Sequence, residues 1–153
     1  MGGGKEPHAR LYKKIMNIFF IGSIRGGRAH QPKYVSIVNV LARYGTVHSG
    51  FVSNEALSHY GETRLADREI FERERSALEK SGVVVAETTT PSLGVGYLLA
   101  CAAFLGKRVV ALYHGEDTLK LSAMIKGDQG IEVYIYKTNE DIEGILAKVF
   151  AKA

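Results

Sequence analysis

Met16-Asn17-Ile18-Phe19-Phe20-Ile21-Gly22-Ser23-Ile24-Arg25-Gly26-Gly27-Arg28 is an apolar run that breaks into a glycine-rich loop carrying two arginines. Residues 16–21 read as a strand, and the loop stands where a βα connection places a phosphate. Beyond it, Pro32 opens a helix whose apolar side carries Val35, Val38 and Leu41, with Gly45 ending it. Residues 46–52 make a second, weaker strand, and the polar stretch 53–64 predicts a loop or short helix over the site. A helix over 66–80 leads into a strand at 83–86. After Thr88-Thr89-Thr90-Pro91-Ser92 a helix of small residues runs from 93 to about 105, where Gly106 stops it. A fourth strand at 109–113, a short helix at 119–126 and a strand at 131–136 follow. Asn139 then caps a final helix that turns Ile142, Ile145, Leu146 and Val149 inward. Five short strands alternating with helical patterns are the sequence form of a doubly wound α/β domain. The expected fold is flavodoxin-like, a parallel five-stranded sheet with its ligand above the strand ends at the switch point.

The chain has 153 residues, enough for one core and too few for two. Residues 1–15 read as a flexible basic tail, with a weak targeting segment as the alternative, and 16–153 as the domain. Gly2 is followed by Glu6 where a myristoylation signal wants Ser or Thr. Hydrophobic content of 46% and charged content of 24% argue against disorder. The single cysteine, Cys101, excludes an internal disulfide and a cysteine-rich metal site. A net charge of +4 and a pI near 9.2 favour anionic partners. The basic residues are scattered and no nucleic-acid signature accompanies them, so a small phosphorylated ligand explains the excess as well as a polynucleotide does; no polynucleotide partner is expected. No apolar run approaches the roughly 20 residues that span a bilayer, so no membrane partner is expected. The expected location is cytoplasmic, with the nucleus as an alternative.

Two segments carry candidate binding chemistry. Gly22, Ser23, Ile24, Arg25, Gly26, Gly27 and Arg28 form the first. Its glycines let backbone N–H groups approach an anion, and its arginines add charge-assisted donors. The spacing fits neither a P-loop nor a dinucleotide fingerprint. A plain glycine-rich connection with solvated arginines is the structural alternative. Pro91-Ser92-Leu93-Gly94-Val95-Gly96-Tyr97 is the second. Ser92 can cap the helix and donate to an anion, while Gly94 and Gly96 admit a ligand or a neighbouring strand. A capped helix packed on the sheet is the alternative there.

The carboxylates Glu74 and Glu87 are the catalytic candidates. Glu74 falls on the inward stripe of its helix, among Ile70, Phe71, Ala77 and Leu78, so it needs a polar cleft, a partner or an exposed edge. Glu87 ends the third strand, where it can cap a turn or touch a ligand hydroxyl. His48 and His59 lack metal-ligand spacing and read as structural or surface residues. No metal and no cofactor is expected.

Three segments together resemble one family: 20–28, then 83–87 through 91–97, then Leu121-Ser122-Ala123-Met124-Ile125. They resemble the 2′-deoxynucleoside 5′-phosphate N-hydrolases, relatives of the nucleoside 2-deoxyribosyltransferases, over roughly residues 18–150. The resemblance implies a flavodoxin-like homodimer that cleaves deoxynucleoside 5′-monophosphates to a free base and deoxyribose 5-phosphate. It puts the phosphate loop on 22–28, a phosphate-side serine on Ser92, a base-pocket position on Ile37, and a stretch reaching the neighbouring subunit's site on Ser122 and Met124. At the reacting centre the chain departs from the family. Leu98 stands where the nucleophilic glutamate belongs, Glu74 where an aspartate does, Phe19 for a tyrosine and Phe51 for a histidine. Double displacement at an anomeric carbon needs a carboxylate beside it, and leucine offers none. The expectation is therefore a deoxynucleoside 5′-monophosphate-binding homologue with cleavage lost or impaired. A working N-hydrolase using Glu74 or Glu87 and a structural subunit of a larger protein assembly are the alternatives.

Overall fold

A computed structural model of the chain describes residues 16–24, 31–50 and 64–151. Five strands, β1 (Met16–Ile21), β2 (Gly45–His48), β3 (Val83–Glu87), β4 (Arg108–His114) and β5 (Ile131–Tyr136), pair in parallel in the order β2-β1-β3-β4-β5. Around them lie α1 (Gln31–Leu41), α2 (Asp67–Lys80), α3 (Leu93–Phe104), α4 (Ala123–Gly127) and α5 (Asn139–Ala151). This is the flavodoxin-like, doubly wound order, with its switch point between β1 and β3.

Strand alternation divides the core into two layers. Ile18 and Phe20 of β1, with Val83 and Val85 of β3, turn toward α1 and α5, where Ile37, Leu41, Ile142 and Leu146 cover them. Phe19, Ile21, Val84 and Ala86 turn the other way, toward Leu78 of α2 and Val95, Leu99 and Ala102 of α3. The register sets Phe19 beside both His48 and Val84, and Glu87 beside Leu112. No helix among the described residues is long and apolar enough to cross a membrane.

Several local expectations shift. The buried side of α1 is Tyr34, Ile37, Val40 and Leu41, while Val35 and Val38 are only half-buried. Tyr34 decides this rotation, since its ring meets Phe20 edge-on at 5.9 Å. Gly45 opens β2 instead of ending α1, because a Cβ there would fall 2.1 Å from the Met16 carbonyl oxygen. Within the described residues β2 closes at His48, short of the expected 46–52. The short helix expected at 119–126 is α4, starting only at Ala123. Asp117 accepts from the Leu119 N–H at 2.9 Å and Thr118 from that of Leu121 at 3.1 Å, so the preceding residues form turns. The cap of α5 is Thr138, whose hydroxyl accepts from the Asp141 N–H at 3.2 Å; Asn139 is already helical. On α2 only Leu78 is buried, and Phe71 stands 43% exposed, so that stripe is narrower than its spacing suggests.

Candidate functional site

The carboxyl ends of β1 and β3 lie side by side, and each runs directly into a candidate binding segment. Past β1, Gly22 and Ser23 are buried and Ile24 is half-buried; Arg25, Gly26, Gly27 and Arg28 lie outside the described residues, as do Phe51 and His59. Past β3 the chain runs through Thr88 and Thr89 to Ser92, which caps α3 by accepting from the Val95 N–H at 3.4 Å. That bond uses an oxygen lone pair and leaves the hydroxyl proton to donate. Added Cβ atoms at Gly94 and Gly96 would meet no strand: the nearest atom to Gly94 is the Ser92 hydroxyl oxygen at 3.9 Å, and nothing lies within 4 Å of Gly96. These glycines leave open space and do not serve strand packing.

Ser92, Ser122 and Met124 line one groove of about 680 Å³, with Thr88, Gly96 and Lys120. Ser122 caps α4, accepting from the Met124 N–H at 3.3 Å, and the Met124 side chain is exposed. The two serines thus reach a common space within one chain. Ile37 lies apart, fully buried between the sheet and α1.

Glu74 lines a second cleft of about 380 Å³ between α2 and α3, with Phe71, Gly94, Tyr97, Leu98 and Cys101. Its side chain keeps 19% exposure and pairs with Arg73 at 2.7 Å. Gly50, at φ 52°, sits over it; a Cβ there would come within 2.8 Å of Glu74 Oε1. Leu98 packs against the cluster that contains Phe19. Leu98 and Phe19 therefore share one apolar patch, and Leu98 carries it to the cleft that Glu74 lines. His48 is exposed at the end of β2, a surface residue as expected.

Glu87 lies on the opposite face of the sheet from Glu74. It is 1% exposed. Its carboxylate accepts from the Tyr136 hydroxyl at 3.0 Å, from the Thr89 hydroxyl, and from the Thr89 N–H at 3.4 Å. Tyr34 donates to the Ser23 carbonyl at 3.3 Å. Burial, and then the Glu87 charge, push the Tyr34 phenol up to about 12. The same two causes, with the hydrogen bond to Glu87, raise Tyr136 as well. Sequence reasoning passed over Tyr34, Thr89 and Tyr136. The threonine run after β3 and a tyrosine closing β5 were the available signals. Among the described residues no cluster of three His, Cys, Asp or Glu could hold a metal ion.

No family model matches the sequence. A 5-hydroxymethyl-dUMP N-hydrolase of Danio rerio is 44% identical over 138 residues, covering 88% of this chain and 96% of that protein. The Esox lucius protein of the same name is 41% identical over 140 residues, with 88% and 96% covered. The Mus musculus one is 41% identical over 138 residues, with 88% and 79% covered. A solved CMP N-glycosidase of Clostridium botulinum superposes with a TM-score of 0.60 at 13% identity, covering 86% of this chain and 98% of that one, which speaks for the fold alone. Identity at this level over nearly the whole domain, together with the same fold, establishes kinship: the chain belongs to the 2′-deoxynucleoside 5′-phosphate N-hydrolase family.

Proposed function

We propose that this protein binds a deoxynucleoside 5′-monophosphate and that its N-glycosidic cleavage is lost or impaired. The loop 22–28 would take the phosphate with help from the Ser92 hydroxyl. The relatives' names, each specifying a deoxynucleoside monophosphate, support the ligand class. The observation that carries the loss is Leu98 in the cleft it shares with Glu74. Cleavage by double displacement forms an ester between a carboxylate oxygen and C1′ as the base departs, and water then breaks that ester. A leucine side chain has no lone pair to make the bond.

Glu74 favours one second reading. It is the accessible carboxylate of the two candidates, so an active enzyme would use it as a general base on water, in a single displacement. Incubation with each deoxynucleoside 5′-monophosphate, followed by chromatography for free base, separates the readings. Binding without base release supports the first, and release at roughly 1 per second or faster supports the second.

We further propose a homodimer built on the helical face of α2 and α3. Phe71 of α2 and Leu93, Tyr97 and Phe104 of α3 are exposed, with the Phe71 and Tyr97 rings 6.4 Å apart, apolar surface of the kind that associating proteins cover. The family resemblance of the 121–125 stretch points the same way.

A further inference from the structure

We propose that Glu87 is a positioning residue that holds the segment delivering Ser92 in place for an anion, an inference that rests on the phosphate reading above. Three donors converge on its carboxylate: the Tyr136 hydroxyl, the Thr89 hydroxyl and the Thr89 N–H. An all-donor shell matches a carboxylate, which only accepts. A glutamine of the same shape would turn its NH2 group either toward the Thr89 N–H, leaving that donor unmet, or toward the two hydroxyls, which would then have to reverse and accept.

What the carboxylate ties down is the turn that leads from β3 to Ser92. Thr89 Oγ1, while donating to Glu87, accepts from the His114 N–H at 2.8 Å. Thr88 fastens to the same strand by its N–H and its hydroxyl, 2.8 and 3.0 Å from the Leu112 carbonyl oxygen. The segment that delivers Ser92 is thereby pinned to the ends of β4 and β5. Donors that must converge on one phosphate lose most of their benefit when their spacing drifts, because preorganisation is what makes such contacts strong.

The test is Glu87→Gln in the full chain, read as the ratio of deoxyuridine to deoxyuridine 5′-monophosphate dissociation constants, well below the variant's melting temperature. That ratio isolates the phosphate contribution. It should fall about tenfold, the size of one charged contact. Tyr136→Phe should lower it about threefold, and by less when added to Glu87→Gln, since it acts through the same carboxylate. An unchanged ratio with only a lower melting temperature would make Glu87 a structural residue and overturn the proposal. If Glu87→Gln does not fold, Tyr136→Phe decides alone, and no change in its ratio overturns the proposal. A wild-type protein binding both compounds equally would refute the phosphate reading itself, a result distinct from a variant that merely keeps the wild-type ratio.

Discussion

Glu74 and Leu98 face one another across a single cleft, the carboxylate carried by α2 and the isobutyl group by α3. The carboxylate is paired with Arg73 and closed over by Gly50. The α2 side of the cleft thus offers a carboxylate and the α3 side an apolar group. Glu87 cannot make up the difference, because β-strand alternation sends it to the far face of the sheet, where tyrosine and threonine donors enclose it. The two acidic candidates are therefore not a catalytic pair.

Ser92 performs two tasks that substitution can separate. Its oxygen caps α3 and its proton is available to an anion. Ser92→Ala should cost about 1 kcal/mol of stability through the lost cap, whereas Ser92→Gly should cost only a few tenths. Both should weaken monophosphate binding alike, by about 1.5–3 kcal/mol, the size of a hydrogen bond to a charged group. Calorimetry against deoxyuridine 5′-monophosphate, paired with urea unfolding, checks this. Full affinity in the glycine variant would remove Ser92 from the phosphate site.

Alkaline pH should unfold the protein through its buried tyrosines. Tyr34 ionises near 10.0 when exposed and near 12 in the fold, so between those values the unfolded chain releases a proton that the folded one keeps. The unfolded state then binds fewer protons, and stability falls as pH rises, up to about 2–3 kcal/mol by pH 12. Tyr136, shifted in the same direction, adds to the slope. Tyr34→Phe should flatten the dependence between pH 10 and 12 in urea melts. A slope identical to wild type would mean that Tyr34 is not held neutral.

Much of this organisation is legible in the sequence because it depends on local periodicity. The strands β1 and β5 match their expected bounds, and the order of elements leads directly to the sheet topology. Ser92 was readable as a cap since the rule relates residues three apart. The Glu87 network was not readable, because its partners come from residues two and forty-nine positions away, joined only by the sheet. The face of α1 was misjudged for a similar reason. Spacing favours Val35 and Val38, and the aromatic fit of Tyr34 on Phe20 overrides it.

Dimerisation should depend on the outer face of α3. Phe104 is 93% exposed there, next to Leu105 and on the same helix as Tyr97. Sedimentation at micromolar concentration should find a dimer for the wild type and a monomer for Phe104→Glu, with unchanged circular dichroism. A charge brought into an apolar contact is costly enough to oppose association. A wild-type monomer that binds nucleotide at full strength would contradict the dimer.

Restoring the reaction should need more than a new nucleophile. Wild-type protein should release almost no base from a deoxynucleotide, since a missing nucleophile commonly costs several orders of magnitude. Leu98→Glu alone should recover little. Leu98 rests on the cluster that holds Phe19, so a carboxylate introduced there meets an aromatic, apolar neighbour. Desolvation would raise its pKa and favour the protonated form, which is not nucleophilic. Adding Phe19→Tyr and Phe51→His should supply polar partners and lower that pKa, and with Glu74→Asp, which draws the second carboxylate back from the first, should bring measurable base release, read by chromatography. Phe19 is fully buried, so the tyrosine hydroxyl must find a partner in the cleft, and the new carboxylate is the intended one. Base release by the single Leu98→Glu variant equal to that of the fourfold variant would show that the apolar surroundings do not matter. Rapid cleavage by the unmodified protein would instead transfer the chemistry to Glu74, and Glu74→Gln would then be expected to abolish it.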